Sequence, residues 1–291
     1  HWMVHSFPTR RSSDLSSAEP GSAGSIPPAG VVAALRGAGC VFAEQEAQLL
    51  LAAADGPAEL ARLVRARVAG TPLEYLVGWV EFDGLRIAVT DGVFVPRQRS
   101  RLLVRAAVGH LAGRPEPLVV DLCCGCGAIG LAIAAAVPGV RLHAADIDPV
   151  AVGCARSNLA PIGAAVYAGD LFAALPGRLR GAVDVLVANA PYVPTAAIAL
   201  MPPEARDHEP GIALDGGPDG TRVLRRVIAG AVAWLAPDGV LLVEVGTSQI
   251  PLITAAFTAA GLAPEIVRDD ELGATVRSEE RRVGKECTIQ C

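Results

Sequence analysis

The strongest constraint on the fold is a regular alternation of apolar runs and helical segments that begins near residue 99. The apolar runs, in chain order, are 118–123, 140–147, 164–170, 183–189 and 239–246. The segments with helical character are 100–112, 127–136, 148–158, 220–235 and 249–260. Strands that are apolar along their length and are each followed by a helix are typical of a parallel sheet covered on both faces. The sequence therefore predicts an α/β fold with a mostly parallel, doubly wound, Rossmann-like sheet.

Two smaller segments precede this α/β region. In 29–69, apolar residues recur at three- and four-residue spacing with breaks at glycines, which predicts a small bundle of three or so helices. Residues 79–97 alternate apolar and polar side chains around the hairpin signals Asp83-Gly84 and Asp91-Gly92, which predicts a β-ribbon. The predicted organisation is a helical domain at 29–78, a ribbon linker at 79–98 and an α/β domain at 99–277.

The two ends of the chain differ in composition from its body. The cationic residues of the body are arginines, whereas the polar tail at 278–291 carries Lys285. The leader at 1–28 also differs from the body, and both ends resemble translated vector sequence. We therefore expect both ends to be partly foreign, poorly ordered and outside the fold.

Composition indicates a globular protein of the cytoplasm. Hydrophobic residues make up 52% of the 291 residues and charged residues 19%, which supports a sizeable core. The longest apolar stretch, at 128–140, is too short to cross a bilayer, so we expect no membrane association. The net charge of -5 argues against a broad nucleic-acid surface, which needs clustered lysine and arginine.

The seven cysteines do not predict a disulfide framework, because their number is odd and their spacing irregular. Cys123 and Cys126 have the spacing of a metal or redox pair. A tetrahedral zinc site needs about four ligands, and no second pair with that spacing lies nearby in the sequence. We therefore expect no metal and interpret these cysteines as small residues of a tight turn.

Ligands of doubly wound sheets bind beyond the carboxyl ends of the strands, so the strand ends hold the candidate site. The first strand ends in DLCCGCGAIG (121–130), where Gly125 and Gly127 let a helix N-terminus approach a ligand closely. The second strand ends at Asp146, which can accept both hydroxyls of a ribose. Asp148 precedes Pro149 and is interpreted as the cap of the next helix.

The third and fourth strand ends add an adenine site and a polar-aromatic tetrad. Asp170 can accept a hydrogen bond from an adenine amino group, and Leu171 and Phe172 can pack on its ring. The fourth strand ends in the tetrad Asn189, Ala190, Pro191 and Tyr192, which alone predicts only a turn. In this context the Asn189 side-chain oxygen and the residue 190 carbonyl can each accept one N–H of an amide.

Four interpretations of these strand ends differ in their chemistry. The tetrad can hold an N–H-bearing acceptor, which is either the side-chain amide of a protein or the exocyclic amine of adenine in a nucleic acid. Gly125-x-Gly127-x-x-Gly130 has dinucleotide spacing, so an NAD oxidoreductase accounts for the glycines and Asp146 but leaves the tetrad unused. A cofactor-binding relative without catalysis is the fourth. Glu244, at the end of the fifth strand, faces the same side.

Taken together, these motifs resemble the HemK/PrmC family of protein-glutamine methyltransferases, which have the class I methyltransferase fold. The resemblance covers roughly 29–277 and rests on GTPLEYLVGWVEF, FVPR, DLCCGCGAIG, AADIDPVAV, GDLF, NAPY, EARDHEP, ALDGGPDG and LLVEVG. It implies S-adenosyl-L-methionine as cofactor and the glutamine of the GGQ loop of a peptide chain release factor as substrate. We expect no direct nucleic-acid partner and a monomer.

The resemblance assigns roles residue by residue. It implies that the cofactor contacts Cys123, Cys124, Gly125, Cys126, Gly127, Asp146, Asp170, Leu171, Phe172 and Asn189, and that Asn189, Ala190, Pro191 and Tyr192 bind the target amide. Three positions depart from the family: Ala190 replaces the first proline of NPPY, Cys123 replaces a glycine, and 98–101 replaces a Pro-x-Thr-Glu pattern. We expect the carbonyl of Ala190 to matter and its side chain to matter little.

Overall fold

The computed structural model describes residues 29–269, 274–277 and 286–290. The expectations for the leader at 1–28 and for most of the tail, 278–285 and 291, lie outside these residues. Within the described part of the chain, no helix is long and apolar enough to cross a membrane.

The helical segment forms four short helices around a small core of its own. They are α1 (Ala29–Gly37), α2 (Ala43–Ala53), α3 (Pro57–Val68) and α4 (Leu73–Val77). Leu35, Leu50, Leu63 and Leu73 are buried together between them. Proline occupies the first position of α3. A backbone N–H at that position has no hydrogen-bond partner within the helix, so proline, which lacks the N–H, is well tolerated there. The helical bundle predicted from the spacing is confirmed.

The ribbon after α4 is one antiparallel hairpin. β1 (Trp79–Phe82) and β2 (Leu85–Ala88) pair across the Asp83-Gly84 turn. Val80, Phe82 and Ile87 are buried in the main core, so the ribbon is fastened to the α/β domain. Asp91-Gly92 makes a turn without a second hairpin, so that part of the prediction is wrong.

Within the described residues, the α/β domain is built on an eight-stranded sheet. Its strands are β3 (Leu118–Leu122), β4 (Arg141–Asp146), β5 (Ala165–Ala168), β6 (Val183–Ala188), β7 (Leu235–Glu244), β8 (Ala263–Asp269), β9 (Ala274–Arg277) and β10 (Glu286–Gln290). Their order is β5-β4-β3-β6-β7-β10-β8-β9, and every neighbouring pair is parallel except those that involve β9. The mostly parallel sheet predicted from five apolar runs is confirmed.

Helices cover both faces of the sheet. They are α5 (Arg101–Leu111), α6 (Ala128–Ala136), α7 (Pro149–Leu159), α8 (Pro203–His208), α9 (Gly211–Leu214), α10 (Arg222–Ala231) and α11 (Ile250–Ala259). Val119 of β3 packs with α5, α6 and α7, whereas its neighbours Leu118 and Val120 pack with α10 and α11 on the other face. This alternation within one apolar strand is what a doubly wound sheet requires.

Two strands at one side of the sheet differ from the sequence-based prediction. β8 is only half-buried and polar at Glu265 and Arg268, so it lacks the apolar run that marks the other strands. β10 comes from the tail expected to lie outside the fold, and it pairs in parallel with β7 and β8. For these five residues that expectation is wrong. Strands pair through backbone hydrogen bonds, so a segment can join the sheet even though its composition differs from that of the other strands.

The strand order reverses direction between β3 and β6, and this reversal positions the site. From β3 the chain adds β4 and β5 on one side, and then returns to add β6 and β7 on the other. At such a switch point the helices leave neighbouring strands on opposite faces, which opens a crevice at the carboxyl ends of the strands.

Candidate active site

A cavity of about 1530 Å³ opens at the switch point. Its walls include Cys123, Cys124, Gly125, Cys126, Asp146, Asp170, Leu171, Asn189, Ala190, Pro191 and Tyr192. The turn after β3 and the ends of β4, β5 and β6 therefore meet around one volume, as the sequence predicts. A cavity of this size has room for a nucleoside cofactor and an acceptor group together.

Two predicted cofactor residues lie outside this lining. Gly127 has φ +81° and packs against Leu159, so its role is to let α6 begin close to α7. Phe172 stacks on Trp234 with ring centroids 5.6 Å apart, and its ring packs closely against Gly230. Both residues make packing contacts behind the cavity wall, and their contact with the cofactor stays a prediction.

The Asp146 carboxylate is held in place by two backbone N–H groups. Gly125 N donates to its Oδ2 and Asp148 N to its Oδ1, each at 2.9 Å. Burial raises the pKa of Asp146. Each carboxylate oxygen keeps a further lone pair, so the group can still accept from a vicinal diol. Asp148 caps α7 by accepting from Val150 N at 2.8 Å, which confirms its predicted role.

Two non-glycine residues of the lining adopt left-handed backbone conformations. Cys123 has φ +55° and Leu171 has φ +48°. Such conformations cost about 1–2 kcal/mol per residue and cluster at ligand sites. Glycine adopts such a backbone without this cost, so Cys123 holds a conformation that a glycine would take more easily. Beside Leu171, Asp170 forms an ion pair with Arg226 at 2.6 Å.

Burial shifts the titration of the groups around the glycine turn. It raises the pKa of the Cys123, Cys124 and Cys126 thiols, which are therefore neutral near pH 7 and poor nucleophiles. Burial also raises the pKa of Asp121 to about 7. Asp121 Oδ2 accepts from Gly130 N at 2.9 Å, while Oδ1 has no partner among the described residues.

The tetrad is fixed from behind by two side chains, one just before α5 and one at the end of β7. Asn189 Nδ2 donates to Ser100 Oγ at 3.1 Å, and Tyr192 OH donates to Glu244 at 2.9 Å. Ala190 is 1% exposed and its methyl group lies in the core. Among the described residues none donates a hydrogen bond to the Ala190 carbonyl. The Asn189 and Ala190 oxygens therefore remain as acceptors at the cavity wall.

Gln249 is a residue that sequence reasoning missed. Its Nε2 donates to the Tyr192 carbonyl at 2.8 Å and to the Asp219 carbonyl at 3.0 Å. Its Oε1 accepts from Gly246 N at 2.9 Å. This one amide joins the tetrad, the ALDGGPDG loop and the end of β7. No sequence signal marks it, since it occupies an ordinary helix-start position.

The FVPR and EARDHEP motifs meet in the wall of the cavity. Arg97 donates to the buried Glu209 at 2.7 Å, and Val95 N donates to the same carboxylate oxygen at 3.3 Å. Tyr75 of α4 donates to the Val93 carbonyl at 2.7 Å, which ties the helical domain to this wall. The arrangement combines a nucleoside site with two acceptor oxygens, and it suits transfer of a group to an N–H-bearing acceptor.

Comparison with known proteins identifies a matching family model and several relatives of this chain. A family model described as the methyltransferase small domain matches residues 85–201. The release factor glutamine methyltransferase of Mycolicibacterium smegmatis is 39% identical over 72% of this chain and 74% of that protein. The protein of the same name from Moorella thermoacetica is 41% identical, over 63% of this chain and 65% of that protein. A 4-amino-L-phenylalanine/4-methylamino-L-phenylalanine methyltransferase of Streptomyces pristinaespiralis is 37% identical over 68% of this chain and 69% of that protein.

The close approach of Gly220 to the tetrad gives a stability prediction. A Cβ on Gly220 would lie 2.3 Å from the Tyr192 carbonyl oxygen, and its φ is +73°. We expect Gly220→Ala to lower the free energy of unfolding by about 3 kcal/mol or more. Gly163→Ala is the matched control, because φ is +67° there but the space is open. Denaturant titration should show a loss of about 1–2 kcal/mol for the control; equal losses would contradict the contact.

Asp121 gives a prediction for the pH dependence of stability. Because its folded-state pKa of about 7 lies above the ordinary value of 3.8, the folded protein keeps a proton that the unfolded chain releases between these values. The stability of the wild type relative to Asp121→Asn should therefore fall as pH rises from about 4 to about 7, by up to about 4 kcal/mol. Urea unfolding of both proteins across this range measures it. A difference that does not change with pH would show that Asp121 is buried as a carboxylate.

Proposed function

We propose a reaction for this chain from one premise: the chain belongs to the family of release factor glutamine methyltransferases. It is an S-adenosylmethionine-dependent methyltransferase. We infer that it methylates the side-chain amide nitrogen of the GGQ glutamine in a peptide chain release factor. The observation that carries this proposal is the pair of acceptor oxygens, on Asn189 and Ala190, at the wall of a cavity with a nucleoside site.

The residues at the cavity wall fit S-adenosylmethionine. The turn at 123–126 lies against the N-terminus of α6 and suits the methionine part, and Asp146 is placed to accept from the ribose hydroxyls. Asp170 and Leu171 suit the edge and face of the adenine. When bound there, the cofactor supplies an electrophilic methyl group on a sulfonium.

The chain's own contribution is to orient a weak nucleophile. A glutamine amide nitrogen has its lone pair delocalised into the carbonyl, so it must be held in line with the methyl group. The Asn189 side-chain oxygen and the Ala190 carbonyl accept one N–H each and stabilise positive charge developing on the nitrogen. Holding reactants in this way is worth roughly 7–11 kcal/mol.

Proton removal needs no dedicated base in this reaction. A methylated cationic amide nitrogen loses its proton readily to water. Burial raises the pKa of Tyr192, so its hydroxyl stays protonated and cannot serve as a base near neutral pH. Tyr192 instead packs its ring against the planar amide.

The mouth of the cavity supports a protein acceptor. Phe42, between α1 and α2, lines the cavity, and beside it Val41 is 83% exposed. On the α/β domain Leu200 is also 83% exposed. The two parts are joined by Arg67 of α3, which pairs with Glu204 at 3.1 Å. We propose that the helical domain at 29–78 contacts the release factor while its loop enters the cavity.

The charges around the cavity favour this acceptor over a nucleic acid. Among the residues that the structure describes, six arginines line the wall and each pairs with a carboxylate: Arg97, Arg99, Arg101, Arg105, Arg222 and Arg226. Phosphate binding would require breaking these pairs, and the net charge is -5. We propose that the chain acts as a monomer in the cytoplasm and needs no nucleic acid.

A labelling experiment separates the candidate acceptors. Purified protein is incubated with methyl-labelled cofactor and, in separate reactions, a release factor, duplex DNA and 4-amino-L-phenylalanine. We expect label in the release factor, and none when its GGQ glutamine is replaced. Label only in DNA or only in the amino acid would contradict the proposal. Cofactor binding without label in any reaction would indicate a relative that has lost catalysis on these acceptors.

Substitutions in the tetrad test the orienting role. Asn189→Ala removes one acceptor oxygen, and we expect kcat to fall about 100- to 1000-fold while the affinity for the cofactor changes far less. Ala190→Pro keeps the carbonyl and should keep most of the activity. Single-turnover rates and calorimetry measure the two effects. Unchanged turnover of Asn189→Ala would remove the tetrad from the mechanism.

A further inference from the structure

A chain of hydrogen bonds runs from a buried carboxylate to the side chain of Asn189. Glu244 is 0% exposed and lies behind the cavity wall at the end of β7. Its Oε2 accepts from Ser100 Oγ at 2.6 Å. Ser100, itself 1% exposed, accepts from Asn189 Nδ2 at 3.1 Å. Neither hydrogen bond is used by the tetrad chemistry described above.

Other contacts of Glu244 show that it acts as a charged acceptor. Its Oε1 accepts from Arg99 Nε at 2.8 Å and from Tyr192 OH at 2.9 Å. Tyr192 OH in turn accepts from Arg99 Nη2. With the guanidinium beside it and three donors directed at its two oxygens, Glu244 is held as a carboxylate that can only accept hydrogen bonds.

The number of protons in this series of hydrogen bonds then determines which way the Asn189 amide points. Ser100 has one hydroxyl proton, and that proton is committed to Glu244. Its oxygen can therefore only accept from Asn189, so the NH₂ end of the amide must face Ser100. The oxygen end is left for a ligand in the cavity that Asn189 lines.

We propose that Glu244 is a positioning residue that acts through Ser100 to keep the Asn189 oxygen directed at the acceptor. The proposal rests on the proposed function, because an N–H-bearing acceptor is what makes this orientation useful. In the reversed orientation the Asn189 NH₂ would face the NH₂ of the acceptor, and two donors repel. The buried charge thus selects an acceptor that donates, such as a primary amide.

Exchange of Glu244 for glutamine tests this orientation. The side chain of Glu244→Gln can donate from its own NH₂ to Ser100, which frees the hydroxyl proton for Asn189 and allows the amide to turn. We expect kcat to fall about 100-fold, with little change in KM for the release factor or in affinity for the cofactor. Asp184→Asn is the matched control, since Asp184 also pairs with an arginine, Arg114, but lies at the opposite end of the sheet.

Two Ser100 variants keep the test decisive if Glu244→Gln folds poorly. Ser100→Thr keeps the hydroxyl that joins Glu244 to Asn189, so most of the activity should remain. Ser100→Ala removes it, and kcat should fall about tenfold, as expected for one lost hydrogen bond. Equal activity of the alanine and threonine variants would overturn the proposal, as would a Glu244→Gln enzyme as active as Asp184→Asn.

A measurement without any acceptor separates this proposal from the proposed function. In the NMR spectrum of the wild type with cofactor, the Asn189 side-chain NH₂ should exchange slowly because it is bonded to Ser100. In Glu244→Gln it should exchange faster because it faces the cavity. Unchanged exchange would overturn the orienting role even if the release factor is methylated. The predicted change, together with no methylation of any release factor, would refute only the proposed function.

Discussion

The reversal of strand order between β3 and β6 is the constraint on which the site depends. These two strands are neighbours in the sheet, yet the chain leaves β3 toward β4 on one side and leaves β6 toward β7 on the other. The glycine turn after β3 and the tetrad after β6 therefore open into the same crevice. Cofactor residues and acceptor residues can face each other there with no long loop to bring them together.

Packing behind the crevice explains motifs that have no direct contact with a ligand. Gly220 allows the ALDGGPDG loop to lie against the Tyr192 carbonyl, and Gln249 then joins that loop to the end of β7. Glu209 joins the EARDHEP segment to FVPR. These segments are distant in sequence, and their shared role is to hold the tetrad against the cavity wall.

An element or a site residue could be predicted from the sequence when its signal lies in the neighbouring residues. The strands were predictable because burial on both faces demands continuous apolar runs, and Asp146 and Asn189 because they end such runs. The stacking of Phe172 on Trp234 was not predictable, because the position of Phe172 after Asp170 does not reveal which way its ring turns. Gln249 and the pairing of Ser100 with Glu244 depend on which loops meet in three dimensions, and one sequence carries no record of that. The strand β10 has no apolar run to mark it.

The central claim is that two oxygens of the tetrad hold the acceptor nitrogen in front of the cofactor. A crystal structure with S-adenosylhomocysteine and a release factor, or a GGQ peptide, tests it directly. We predict that the glutamine nitrogen lies within hydrogen-bond distance of both the Asn189 side-chain oxygen and the Ala190 carbonyl, with its face toward the cofactor sulfur. A glutamine bound elsewhere, or an Asn189 amide that presents its NH₂ group to the acceptor, would contradict the account.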